Sequence, residues 1–163
     1  MIGLQIEDTK LFMNNLFKET SFDNFETVSV NLKTIVTYEI DGLINKAYLE
    51  EAPTEGVLVP IYLTWEAHKQ HVFQLIKGGR SPLFFKIIFT LSSASTKSIL
   101  DKLNMDDQLV QGFFINITYD HPTLKLTTGT NYKTFTMDKS IEQYFDQSIQ
   151  KFMNKHNITY ALA

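Results

Sequence analysis

Nine consecutive residues, Leu83-Phe84-Phe85-Lys86-Ile87-Ile88-Phe89-Thr90-Leu91, carry a single charge among leucine, aromatic and β-branched side chains. Branched and aromatic side chains fit a pleated, buried surface, so the run predicts an interior strand whose odd-numbered residues face the more apolar side. It is the longest apolar candidate in the chain and falls well short of the roughly 18 residues a membrane-crossing helix needs. A strand of this kind has to be covered by other elements. The 163 residues, 44% of them apolar, supply enough material for one domain spanning 1–163.

Composition removes several classes. Thirteen Phe and seven Tyr are too much sticky surface for a disordered chain, and seven Gly with four Pro exclude collagen-like and linker-like sequences. With no cysteine, thiol nucleophiles, CxxC redox chemistry, cysteine zinc sites and iron–sulfur clusters are ruled out within this chain. The opening residues Met1 to Asp8 show no basic segment followed by an apolar one, which argues against a secretory signal and for an intracellular, cytoplasmic protein.

Periodicity predicts the remaining elements. Ile2, Leu4 and Ile6 alternate as a short strand. Asp8 is placed to cap a helix to about Lys18 with Leu11, Phe12 and Leu16 on its apolar face. Thr27 to Leu32 reads as a strand. Asp41-Gly42 between Thr34–Ile40 and Leu43–Tyr48 predicts a tight hairpin with a type I′ turn, because both central residues of that turn need positive φ. The acidic, Pro53-containing stretch from Leu49 to Gly56 reads as a loop. Thr64 opens a helix presenting Trp65, His68, Val72, Leu75 and Ile76, and Gly78-Gly79 is expected to end it in a left-handed conformation.

A shorter helix follows Ser92 or Ser93. Phe113, Ile115, Ile117 and Tyr119 then alternate with Phe114, Asn116, Thr118 and Asp120 in a strand that turns at His121-Pro122 into Leu124 and Leu126. Gly129 is expected to break the chain before a strand from Tyr132 to Thr136, and Asp138 to cap a final helix carrying Ile141, Tyr144, Phe145, Ile149, Phe152 and Met153. The fold class is α+β: a mostly antiparallel sheet of about seven strands with three or four helices packed on one face, the other face rich in Thr, Asn, Ser and Lys.

The runs Ile40-Asp41-Gly42-Leu43-Ile44-Asn45-Lys46, Leu75-Ile76-Lys77-Gly78 with Pro82, Phe85-Lys86 and Leu91-Ser92, and Thr128 to Lys139 resemble those of a domain-of-unknown-function family from anaerobic, low-GC Gram-positive bacteria. The resemblance extends over nearly the whole chain. It implies a bacterial, cytoplasmic, single-domain protein and brings no activity, cofactor or catalytic residue with it.

The formal net charge of -3 divides unevenly. Residues 1–66 hold eleven acids against four lysines. Residues 67–100 hold no acid and five cations: Lys69, Lys77, Arg80, Lys86 and Lys97. Residues 101–163 hold seven acids and six lysines. Arg80 is the only arginine. Around it, Lys77-Gly78-Gly79-Arg80-Ser81 could offer backbone N–H groups and cations to a phosphate or carboxylate, although a helix C-terminus repels anions and the spacing is not that of a P-loop.

Other constellations have plain structural explanations. Asn116, Thr118, Lys125, Thr127, Tyr132 and Thr134, with Lys86, could line a binding face for a sugar or nucleic acid. An ordinary solvated sheet face is the preferred explanation of the same residues, and with few aromatics, no RNP signature and a pI near 5.8 nucleic acid is not the expected partner. His68 and His71 stand at i, i+3 with no third metal ligand at a helical offset, so no metal site is assigned. Glu39, Asp41, Glu50 and Glu51 lack an evident pairing, and no GxSxG elbow is present.

The function expected from sequence is therefore a non-enzymatic binding or regulatory module. Its basic segment, Lys77 to Lys86, would meet an acidic partner or phosphate-bearing ligand, with Lys77, Arg80, Lys86, Lys125 and Tyr132 as ligand-binding residues. No catalytic residue, cofactor or metal is assigned, and neither nucleic acid nor membrane is an expected partner. Two alternatives remain open: a small enzyme using His68 and a carboxylate such as Glu39 in a cleft beside the Trp65 helix, and a homo-oligomer in which the acidic first third meets the basic island of another copy.

Overall fold

The protein is described by a computed structural model covering residues 1–49 and 60–163. The sequence-predicted loop residues 50–56, with Glu50 and Glu51, lie outside the described residues. Seven strands among the described residues form one antiparallel sheet: β1 (Gly3–Ile6), β2 (Glu26–Lys33), β3 (Thr37–Asp41), β4 (Phe84–Thr90), β5 (Val110–Asp120), β6 (Thr123–Tyr132) and β7 (Tyr160–Leu162), in the order β3-β2-β4-β5-β6-β1-β7. Among the described residues five helices accompany it: α1 (Thr9–Phe17), the single turn α2 (Lys46–Leu49), α3 (Trp65–Ile76), α4 (Ser93–Lys102) and α5 (Ser140–Lys155). The α+β class and the strand number match the sequence reading; the extra helix is the short α2.

The Leu83–Leu91 run is the interior strand it promised to be. β4 pairs with β2 on one side and β5 on the other, and Phe85, Ile87 and Phe89 are fully buried. Beside Phe89, the rings of Trp65, Phe25 and Phe22 sit at centroid distances of 5.3, 5.7 and 6.0 Å, joining sheet to helix layer in one aromatic cluster. Trp65 enters it without an orphan donor, because its indole N–H donates to Leu16 O at 2.7 Å. The helix faces behave as their spacing dictates. Ile141, Phe145, Ile149 and Met153 of α5 are buried, and Asp8 caps α1 by accepting from Leu11 N at 2.9 Å.

Four local expectations are overturned. Asp41-Gly42 does not turn a hairpin: β3 pairs back onto β2 through a turn at 34–36, and the chain after Gly42 leaves the sheet, Leu43 forming only an isolated bridge to Tyr62. The proposed diagonal pairing of Glu39 with Lys46 across that hairpin goes with it. Asp41 Oδ1 instead accepts from Leu43 N at 2.9 Å, a side-chain turn that replaces the backbone one. Gly42 is required by space, since a Cβ there would lie 1.7 Å from Thr27 O.

Gly129 does not break the chain. β6 runs straight through it, opposite Phe114, and ends at Tyr132 where a new strand was expected to start. Pairing along ten residues of β5 outweighs the poor strand propensity of one glycine. α3 ends because Lys77 takes an extended conformation (φ -60, ψ 118), with neither Gly78 nor Gly79 left-handed. Asp138 stands one residue before the α5 cap, Lys139, and accepts from Ser140 N at 2.9 Å.

Candidate functional site

The basic island does not survive folding as one surface. Lys69 is neutralised by Asp23 at 2.6 Å and also donates to Glu19 O. Lys77 and Arg80 are exposed in the turn after α3. Lys86 points from β4 to the sheet face away from the core, and Lys97 sits on α4. A strand alternates faces at every residue, so a run of cations in sequence cannot stay together once it enters β4.

Lys86 does share a cross-strand row with another predicted residue. Glu39, Asn31, Lys86, Thr118, Lys125, Gln5 and Ala161 lie side by side across all seven strands on the open face, with Thr118 between the two lysines. Asn116 and Thr127 form the next row, so this face is as polar as expected. Tyr132 is not on it. Its position on β6 turns it to the opposite side, where it packs against the core with its hydroxyl buried and without a partner among the described residues; burial, followed by the Glu142 carboxylate, pushes that phenol up.

A different feature, a groove of about 760 Å³, lies between α1 and the end of α3; Lys77 and Arg80 are sequence neighbours of its walls and do not themselves line it. Leu11, Met13 and Phe17 of α1 and Phe73 and Ile76 of α3 form its apolar walls, closed by Pro82 and Tyr119. Lys10 and Lys18 line it. Lys77 follows the wall residue Ile76 and Arg80 precedes the wall residue Ser81. None of these four cations is in an ion pair among the described residues. Tyr119 lends the groove a polar point: its hydroxyl is 2.7 Å from His121 Nδ1. The volume is that of a small-molecule site, for which about 300–1,000 Å³ is usual.

His68 lines a smaller cavity of about 320 Å³ with Gly42, Leu43 and Leu63. Its Nε2 is buried without a partner among the described residues, and burial, then the nearby His71, lowers its pKa. Glu39, the carboxylate proposed to work with it, lies instead in the open-face row, and Asp41, which does line this cavity, already accepts from Leu43 N. The fold does not bring His68 and Glu39 together.

The profile of DUF5721, a family of unknown function, matches residues 15–161. The chain belongs to this family. No curated protein and no solved structure matches it. The α1 side of the groove begins before the matched segment, whereas Phe17, Lys18, Phe73, Ile76 and Arg80 fall inside it. Among the described residues no helix is long and apolar enough to cross a membrane, and no cluster of three metal-ligating side chains occurs.

Sequence reasoning missed Glu26. It is the first residue of β2, only 5% exposed, and burial pushes its carboxyl above the ordinary value of 4.5 against the N–H groups of Tyr62 and Ile61, which pull it down. A lone acid ahead of an alternating strand reads as solvated, and nothing local signals otherwise. A carboxyl raised on folding adds stability below its unfolded pKa, and that stability is lost as pH rises through the folded pKa. Glu26→Gln removes the buried charge and keeps an acceptor for Tyr62 N. The variant is expected to exceed the wild type in melting temperature at pH 7 and to lose that advantage below about pH 4.5, where both states carry a neutral side chain. Thermal melts across that range check it.

Proposed function

We propose that the protein is a non-enzymatic binding module whose groove between α1 and α3 takes a small amphipath: an apolar chain with a carboxylate or phosphate head. The observation that carries this reading is an apolar groove lined by Lys10 and Lys18, with Lys77 and Arg80 next in sequence to its walls; none of these cations is paired with an acid among the described residues, and the acid in the lining, Asp8, is engaged in capping α1. Apolar walls reward desolvation of the chain, while cations at the rim hold a head group that keeps part of its hydration. In this reading Lys77 and Arg80 act from the rim, next to the wall residues Ile76 and Ser81, and Lys86, Lys125 and Tyr132 have no role. A cytoplasmic setting in an anaerobic low-GC Gram-positive bacterium, resting on the family resemblance, belongs to the same reading.

Decanoate and decyl phosphate, titrated by calorimetry, are the direct probes. Binding is expected to weaken as salt rises, and Arg80→Ala to weaken it by about fivefold, the scale of one partly exposed charge contact. Met13→Trp, which fills the groove, is expected to abolish it. Absence of binding by both probes, or binding indifferent to Met13→Trp, would reject the groove as the site.

A further inference from the structure

A second cavity, of about 510 Å³, lies at the end of the open sheet face, and its chemistry is unlike that of the groove. Glu26, Thr90, Phe114 and Gly129 form one cross-strand row there. Both register irregularities of the sheet fall beside it, at Thr27/Ser29 in β2 and Val110/Gly112 in β5. Bulges re-aim side chains and commonly border functional sites. Gly112 keeps the cavity floor tight, since a Cβ there would press on the Phe114 ring at 3.2 Å and lie 3.5 Å from Thr90 Oγ1.

Glu26 is the anomaly. The residue is only 5% exposed, yet no cation pairs with it among the described residues, and its hydrogen bond from Tyr62 N is long at 3.4 Å. A buried carboxylate held this way is costly until a cation meets it. Around it the cavity carries Lys97 from the first half of α4 and Lys133 just beyond β6, with Asp107 as the other acid. Lys133 Nζ donates to Gln108 Oε1 at 3.2 Å, a neutral partner that leaves its charge uncompensated.

We propose that this cavity binds a small zwitterion of the amino-acid type, whose ammonium pairs with Glu26 and whose carboxylate meets Lys97 and Lys133. The buried acid supplies the missing counter-ion site and the two lysines the opposite pole. Leu91, Val110 and Phe114 line the remaining wall, which suits an apolar or short side chain better than a second charge.

The test is an NMR titration of the isotopically labelled full chain with the standard L-amino acids, β-alanine and 4-aminobutyrate, each to about 5 mM, which detects any ligand with Kd near or below about 1 mM. At least one compound is expected to shift the amide resonances of Thr90, Thr96 and Gln111. Its affinity should fall by at least about tenfold in Glu26→Gln, which keeps the Tyr62 contact but not the charge. It should fall likewise in the exposed Lys97→Met, whose folding is not in question. The matching N-acetyl compound, lacking the ammonium, is expected not to bind. No shift with any compound, or binding that is unchanged in both variants or by N-acetylation, overturns the proposal. Met13→Trp should leave this binding intact, so failure of the groove reading and failure of this one are separable.

Discussion

Replacing Gly42 by asparagine is expected to destabilise the protein as severely as replacing it by alanine, by about 3 kcal/mol or more in either case. The two substitutions separate two physical accounts of the same dipeptide. In a type I′ turn, glycine is wanted for positive φ, which asparagine also tolerates, so Gly42→Asn would be mild. In the fold, Gly42 is buried against β2, its N–H donates to Val28 O at 2.9 Å, and any Cβ would stand 1.7 Å from Thr27 O. The obstacle is backbone in a paired strand, which cannot swing aside as a side chain would. Gly79→Ala is the matching control. A Cβ at Gly79 meets nothing within 4 Å and the residue is not left-handed, so its stability should change by no more than about 0.5 kcal/mol. Urea denaturation midpoints of the three variants decide the matter, and a mild Gly42→Asn would show that the chain turns there after all.

The second large effect is expected at Phe89. Truncation to alanine removes the ring shared by Trp65, Phe25 and Phe22 at the junction of sheet and helices, and should cost about 3–5 kcal/mol. That is a large share of the roughly 5–15 kcal/mol that holds a domain of this size together. Trp65, the one tryptophan, is in edge contact with Phe89 and reports the loss directly through its fluorescence. Phe89→Leu fills most of the space and should cost less than half as much. If Phe89→Ala unfolded at the wild-type urea midpoint, the cluster would not be the core it is described as.

Elements whose signal is internal to a segment were legible. β4 announces itself because nine neighbouring side chains share one preference, and α5 because its buried residues recur at helical spacing over sixteen residues. Alternation also gave the correct faces of β5, where Phe113, Ile115 and Ile117 are buried. The short pieces went astray wherever a partner outvoted a local preference. Gly129 was overruled by β5, and Asp41-Gly42 by the close passage of β2. β7, three residues long, offered too little pattern to be seen at all, and exists because β1 has a free edge for it.

The candidate sites divide in the same way. Lys77 and Arg80 could be singled out from their position in an acid-free segment, but the apolar groove beside them is built from α1, sixty residues away in sequence. Lys86 was grouped with them by sequence proximity and separated from them by the alternation of β4. Glu26 carried no signal, because the partners that enclose it, Thr90 of β4 and the chain at Tyr62 and Thr64, are far from it in sequence.

The sequence by itself determined the class of the protein: an α+β chain with a mostly antiparallel sheet, an aromatic core, one polar sheet face and no cysteine chemistry. Each of these follows from properties that neighbouring residues hold in common, and periodicity preserves them through folding. The tertiary structure alone decided which charges meet. It neutralised Lys69 with Asp23, left Lys77 and Arg80 exposed next to the wall residues Ile76 and Ser81, sent Lys86 to the far side of the sheet and buried Glu26 with no counter-ion among the described residues. The physical reason is that a charge's energy depends on distance and on solvent exclusion, and both are set by strand order and register, which bring together residues that are far apart along the chain.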